Sequence, residues 1–287
     1  MSRLFIILQY LIPQHGISRL AGMFARGRLF KNLLIRLFIR RYKVDLSEAE
    51  ISDPAQFKNF NDFFTRALRA DARPLAKEQD AVLCPADGCI SEIGFIEEDR
   101  ILQAKGRHYT VAALLASETD AQHFLGGSFA TVYLSPRDYH RVHMPVEGRL
   151  LHTTYVPGKL FSVNQVTADS VPDLFARNER LVCLFDTPAG KMALVLVGAM
   201  IVAGIETVWA GQVCPAPRRE LKQVDYSQSN PPLQLAKGAE MGRFKLGSTA
   251  IVLFEPGAVV MEKSLVAGSP TRMGQLLGCQ QTLNQGQ

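Results

Sequence analysis

The sequence predicts an α+β protein, with an amphipathic helical N-terminus followed by a largely antiparallel, β-rich body. Three observations carry this. Two apolar stripes at helical spacing lie in the first 44 positions, short β-rich runs separated by Gly and Pro fill the chain from residue 82 onward, and strands and helices do not alternate at length. The last point argues against a doubly wound parallel sheet. At 287 residues and 47% apolar content the chain can bury a real core.

The N-terminal arm, residues 1–44, reads as a unit separate from the body, residues 45–287. Leu4, Ile7, Leu8, Leu11 and Ile12 form one helical stripe, and Phe30, Leu33, Leu34, Leu37 and Phe38 form a second, flanked by Lys31 and Arg36. Pro13 and Gly16 are expected to break the first helix. The arm holds nine Lys or Arg and no Asp or Glu, leaving 23 basic against 27 acidic residues in the remaining 243. A basic arm on a mildly acidic body points to an anionic surface. Its Phe, Leu and Ile content favours lipid over nucleic acid, because interfacial helices bury such side chains while their cations reach lipid phosphates. The plainer alternative is a pair of amphipathic helices packed on the body. No stretch reaches the roughly 20 apolar residues a bilayer span needs, and no small-residue cleavage site follows residues 4–12 to make them a signal peptide.

Beyond the arm, an acidic mixed stretch at 45–80 is expected to hold a helix over 61–68, capped by Asn59 or Asn61. Strands are expected at 89–96, 128–135, 149–156, 180–187, 192–202, 205–209, 249–254 and 258–261, and short helices at 111–115 and 121–125. The polar segment 215–237, with Pro215, Pro217, Pro231 and Pro232, reads as an exposed loop. Five cysteines without a CxxC pair or zinc-type spacing suggest neither a disulfide framework nor a metal site, and fit a reducing, cytosolic setting.

Three segments could carry chemistry: Cys84-Pro-Ala-Asp-Gly88, Tyr139-His-Arg-Val-His-Met-Pro145 and Phe244-Lys-Leu-Gly-Ser-Thr249. Each has a plain reading. Asp87-Gly88 is an ordinary turn pair; His140 and His143 lie between Pro136 and Pro145 without a partner at metal-ligand spacing; Gly247-Ser248-Thr249 could be a bulge in an edge strand. Together they offer an Asp, a His and a Ser, the groups of a base-activated nucleophile. The Gly-x-Ser-x-Gly elbow of an α/β-hydrolase is absent, since Leu246 and Ala250 stand at its glycine positions. Ser248 instead follows Gly247 directly. Glycine shields its own carbonyl least and tolerates strained backbone, so the Gly247–Ser248 bond suits attack by the serine hydroxyl on the preceding carbonyl.

The segments 240–249, 135–145, Tyr155-Val-Pro-Gly158, Phe161-Ser-Val-Asn164 and Phe175-Ala-Arg-Asn-Glu-Arg180 make the chain resemble the bacterial phosphatidylserine decarboxylases, over about residues 43–262. The resemblance implies that Asp87, His143 and Ser248 form a triad for self-cleavage between Gly247 and Ser248. Ser248 would become a pyruvoyl group that binds the substrate amine as a Schiff base, with no metal. His140 would be the proton donor in turnover. It further implies a large chain (1–247) and a small chain (248–287) that stay associated, and conversion of phosphatidylserine to phosphatidylethanolamine at the cytoplasmic face of the cell membrane. Anionic lipid and not nucleic acid would be the partner, the protein would be peripheral, and the oligomeric state is left open, a homo-oligomer included. Two rivals are a Ser-His-Asp hydrolase, which would keep its chain intact, and a membrane-surface adaptor, which would not need these residues.

Overall fold

Uninterrupted apolar runs at 181–185, 192–197 and 250–254 become the middle of the largest sheet, because strands covered on both faces have no polar side to alternate with. The computed structural model describes residues 2–27, 29–200, 204–216, 218–245 and 248–281, so Gly247 of the expected cleavage bond lies outside the described residues. In this sheet β7 (Gly148–Val156), β8 (Arg180–Thr187), β9 (Gly190–Gly198), β15 (Ser248–Phe254), β5 (Ser128–Leu134) and β2 (Gly88–Phe95) lie side by side, every pair antiparallel. Short strands close the edges: β12 (Lys222–Asp225) and β13 (Gln234–Leu235) on β7, and β17 (Pro270–Thr271) on β2.

Side chains of β15 alternate between two cores. Ala250, Val252 and Phe254 join one, and Ile251 and Leu253 the other, as a period of two requires. The first core is covered by a sheet of β11 (Gly211–Cys214), β10 (Gly204–Thr207), β14 (Glu240–Lys245) and β6 (Arg141–His143), and by another of β1 (Ala81–Leu83), β18 (Leu276–Gln280) and β16 (Val259–Met261). The second is covered by the hairpin β3 (Arg100–Ala104) and β4 (Arg107–Thr110) with the short helices α5 (Val111–Leu115), α6 (Glu118–Ala121), α7 (Gln165–Ala168) and α8 (Leu174–Arg177).

The arm forms three helices, α1 (Ser2–Leu11), α2 (Gln14–Arg26) and α3 (Lys31–Tyr42). Pro13 separates α1 from α2 as expected. Gly16 does not break a helix; it lies inside the first turns of α2, where a helical glycine costs stability without ending the helix. One face of the arm docks through buried amides: Gln9 Oε1 accepts from Ser162 N–H at 2.7 Å and Gln14 Oε1 from Leu160 N–H at 2.7 Å. A third core, of Ile35, Val44 and Phe57 with Phe60, Phe63 and Phe64 of α4 (Phe60–Phe64), ties α3 to the chain that follows. The opposite face leaves Leu8, Leu11, Leu20, Met23, Phe24, Leu33 and Leu37 exposed. Among the described residues no helix is long and apolar enough to cross a membrane.

Two further expectations need correction. The helix placed at 61–68 spans only Phe60–Phe64, with Asn59 as its cap; beyond it Ala67 O accepts from Glu50 N and Leu68 bridges Ala49, so tertiary pairing takes the backbone that the helix would use. The segment 215–237 is not all loop, since β12 and β13 pair along β7 there.

Because Gln14 supplies the acceptor for a buried backbone N–H, Gln14→Leu should lower global stability by about 1–3 kcal/mol in urea unfolding. An unchanged midpoint would mean that the arm is not held by this bond.

Candidate active site

Ser248 opens β15 and is paired on both sides, opposite Leu134 of β5 and Gly198 of β9. It is therefore not in an edge strand, and no bulge interrupts these two ladders. It shares parity with Ala250 and Val252, which places its side chain on the face covered by β6 and β14. Its Oγ is fully buried and has no hydrogen-bond partner among the described residues. A buried hydroxyl left unpaired costs free energy, on the order of 1–3 kcal/mol, so its position calls for a functional reason.

Asp87 reaches the same place from the other side of β5. Cys89 pairs with Tyr133, and a side chain at Gly88 would come 2.2 Å from Tyr133 O, so only glycine lets this turn approach the end of β5. His143 is brought in by β6, whose backbone N–H at His143 donates to Pro85 O at 2.8 Å.

The three do not form a hydrogen-bonded relay. Asp87 Oδ1 accepts from Arg73 Nε at 2.9 Å and from Met273 N–H at 2.8 Å, and Oδ2 pairs with Arg73 Nη2. Arg73 also pairs with Glu48 at 2.8 Å, and Glu48 in turn with Arg272. Burial opposes the charge on Arg73, but its bonds to Asp87 and Glu48 outweigh that and raise its pKa. His143 Nδ1 lies 2.8 Å from Gly238 O; a carbonyl only accepts, so Nδ1 carries the proton and Nε2 is the lone-pair nitrogen, here accepting from Tyr139 O–H at 3.0 Å. Burial lowers the pKa of His143, with the bond to Gly238 and the charges of Glu240 and Asp87 working the other way. Asp87 thus acts on His143 as a nearby charge.

His140 sits before β6 with its carbonyl bonded to Phe244 N–H at 2.9 Å. Its ring is fully buried 4.0 Å from that of Phe64, Nδ1 donates to Asp138 O at 2.9 Å, and Nε2 has no partner among the described residues. Burial, with Arg66 adding repulsion, lowers its pKa to about 3. Sequence reasoning missed Arg73, Tyr139, Arg66 and the Gly238 carbonyl. Tyr139 stands in the same string as the histidines, whereas nothing local marks Arg73. A cavity of about 630 Å³ lined by Tyr155, Trp209, Leu221 and Tyr226 lies elsewhere and touches none of the four predicted residues.

A buried serine, a carboxylate and two buried imidazoles are thus carried on neighbouring elements of one antiparallel scaffold. The chain belongs to the phosphatidylserine decarboxylase family, whose model matches residues 60–279; a second model, described as PSD, matches residues 4–43. It is similar to the phosphatidylserine decarboxylase proenzymes of Ectopseudomonas mendocina (60% identical over 281 residues, 96% of this chain and 98% of the relative) and Pseudomonas aeruginosa (62% over 280 residues, 96% of each). That of Pseudomonas fluorescens is 61% identical over 281 residues, 96% of this chain and 97% of the relative. The likeness thus extends through the arm and past residue 262, further than the motif strings carry it. The chain is accordingly a decarboxylase, a carbon–carbon lyase.

Both imidazoles bind a proton less readily in the fold than at their ordinary value of 6.5. Their contribution to stability is therefore full above that value and falls as pH drops through it, for His140 down to about 3. Side-chain ¹⁵N NMR should find His143 as the neutral Nδ1–H tautomer at pH 7; an imidazolium there would contradict this geometry.

Proposed function

We propose that this protein cuts itself between Gly247 and Ser248, converts Ser248 into a pyruvoyl group, and then decarboxylates phosphatidylserine to phosphatidylethanolamine at a membrane surface. The observation that carries the reading is the unpartnered, fully buried Oγ of Ser248 directly after residue 247, in a chain whose relatives are proenzymes.

In maturation, His143 Nε2 exchanges its bond to Tyr139 for one to Ser248 and takes the hydroxyl proton, while the Asp87 charge, fixed by Arg73, steadies the imidazolium. Ser248 Oγ bonds to the Gly247 carbonyl carbon, the imidazolium passes its proton to the Ser248 nitrogen as the C–N bond breaks, and the amide becomes an ester with a free amine. Loss of the Ser248 α-proton expels the Gly247 carboxylate from Cβ, leaving a dehydroalanine whose hydrolysis releases ammonia. Ser248 fits as the carrier of the pyruvoyl group, since no donor among the described residues ties up its side chain. Once formed, that group supplies a carbonyl that captures the substrate amine and accepts the electron pair left by carbon dioxide.

His140 serves turnover. Nδ1–H is committed to Asp138 O, so Nε2 is the nitrogen that takes the proton shed by the substrate ammonium and then gives it to the reacting carbon, while the Phe64 ring keeps bulk water from it. The large chain, 1–247, and the small chain, 248–287, stay together because β15, in the small chain, lies between β9 and β5. The arm lays its exposed apolar face and its cations on anionic lipid of the cytoplasmic leaflet.

His143→Ala should leave mostly uncut precursor, with cleavage slowed on the order of 10³-fold or more, and Asp87→Asn should slow it as well. His140→Ala should be cut normally and decarboxylate poorly. Gels and single-turnover assays separate these; normal processing of His143→Ala would remove it as the base, and a wild-type chain that stays whole and reacts with fluorophosphonates would favour a hydrolase.

The triple change Arg36→Gln, Arg40→Gln and Arg41→Gln removes three exposed cations of α3. Each is worth about 1 kcal/mol near an anionic surface, so binding to anionic vesicles should fall on the order of 100-fold while activity in detergent micelles is kept. Undiminished vesicle binding would move the membrane contact away from α3.

A further inference from the structure

Among the described residues three acids are buried. Asp87 holds Arg73 and Asp120 holds His152, but Glu179, 5% exposed, has no ion-pair partner there. Its Oε1 accepts from Tyr155 O–H at 2.5 Å. A carboxylate withdrawn from water without a cation is costly, so its place calls for a positive charge that the protein does not itself supply.

Glu179 stands in one row of the large sheet with Ser248. Arg180 of β8 pairs with Val197 of β9, which brings Glu179 opposite Gly198, and its carbonyl accepts from Gly198 N–H at 2.9 Å. Gly198 in turn pairs with Ser248. Cross-strand partners share a face, and Leu181, Leu196 and Ala250, each two residues further along its strand, put this face on the first core, where the Ser248 side chain also lies. Two strand spacings, roughly 10 Å, separate Glu179 from Ser248. The residue between them is a glycine, so no side chain of this row stands between the carboxylate and position 248.

Glu179 also reaches the surface. It shares a cavity of about 40 Å³ with Arg19 and Arg26 of α2, Leu160 and Pro215. One water needs roughly 10–15 Å³ of such space, so the cavity admits a group the size of a primary ammonium and leaves bulkier groups at its mouth. Arg19 and Arg26 are exposed, and so are Leu20, Met23 and Phe24 of the same helix, which belong to the apolar face assigned to lipid. These charges are the complement of a phosphatidylserine headgroup: two cations for its phosphate and carboxylate, and one carboxylate for its ammonium.

We infer that Glu179 recognises the ammonium of the lipid substrate, with Arg19 and Arg26 taking its anionic groups, in a cleft between α2 and the start of β8. The assignment rests on the decarboxylase reading above. Glu179 is a binding residue: its loss weakens ligands that carry the amine and spares those that lack it.

The test uses the self-cleaved enzyme in neutral detergent micelles. Phosphatidylserine is the substrate, and phosphatidyl-3-hydroxypropanoate, which keeps the phosphate and carboxylate and lacks the amine, is a competitive inhibitor. Glu179→Gln, which still accepts from Tyr155 O–H, should raise KM for phosphatidylserine roughly 10- to 100-fold and should not raise Ki for the deamino lipid. Arg19→Gln should raise both. If Glu179→Gln does not fold, Glu179→Asp, which keeps the charge and draws it back by one methylene, takes its place, with a smaller rise in KM and the same Ki. An unchanged KM, or no effect of Arg19→Gln on either ligand, would overturn the assignment. So would KM and Ki rising together in the Glu179 variant, which would make the carboxylate a support of the arm. If the wild type is uncut or does not decarboxylate, the functional reading itself fails, which processing of the same preparations reports separately.

Discussion

The structure depends on burying a hydroxyl that it does not satisfy. Ser248 begins a strand paired on both sides, so its backbone is fixed by two antiparallel ladders while its Oγ has no donor or acceptor among the described residues. A free hydroxyl in a mobile loop would be solvated and would gain water partners; here the sheet holds it in place without them. The apolar runs of β8, β9 and β15 supply the burial that offsets this cost, at roughly 25 cal/mol per Å² of apolar surface removed from water.

The charges of the candidate site are bound to one another and not to that hydroxyl. Asp87 is locked by Arg73 and a backbone N–H, and Arg73 is itself shared with Glu48, so the carboxylate cannot swing to whichever proton is nearest. His143 gets its tautomer from the Gly238 carbonyl, a role that an aspartate fills in hydrolase triads. Burial lowers the pKa of both histidines, and yet their surroundings differ: Nε2 of His143 meets a tyrosine hydroxyl and Nε2 of His140 has no partner among the described residues.

Much of this was legible in the residues. Strands at 128–134, 148–156, 180–187 and 248–254 follow from apolar runs bounded by Gly and Pro, because burial on both faces leaves a signal that needs no partner to read. The helix ending at Phe64 and the strands β12 and β13 were not legible, since their limits are set by pairing with residues far away in the chain. The four candidate site residues were singled out because Asp-Gly, His-x-x-His and Gly-Ser stand in strings that carry the family resemblance. Arg66 and Arg73 were not, since what sets them apart is which carboxylates they do or do not meet in space.

The most direct test is the intact mass of the small chain released on denaturing the purified protein. The account predicts a fragment of residues 248–287 with a blocked N-terminus, lighter by one ammonia than the mass for a serine N-terminus. A single unbroken chain, or a fragment whose N-terminus sequences as Ser-Thr-Ala, would contradict it.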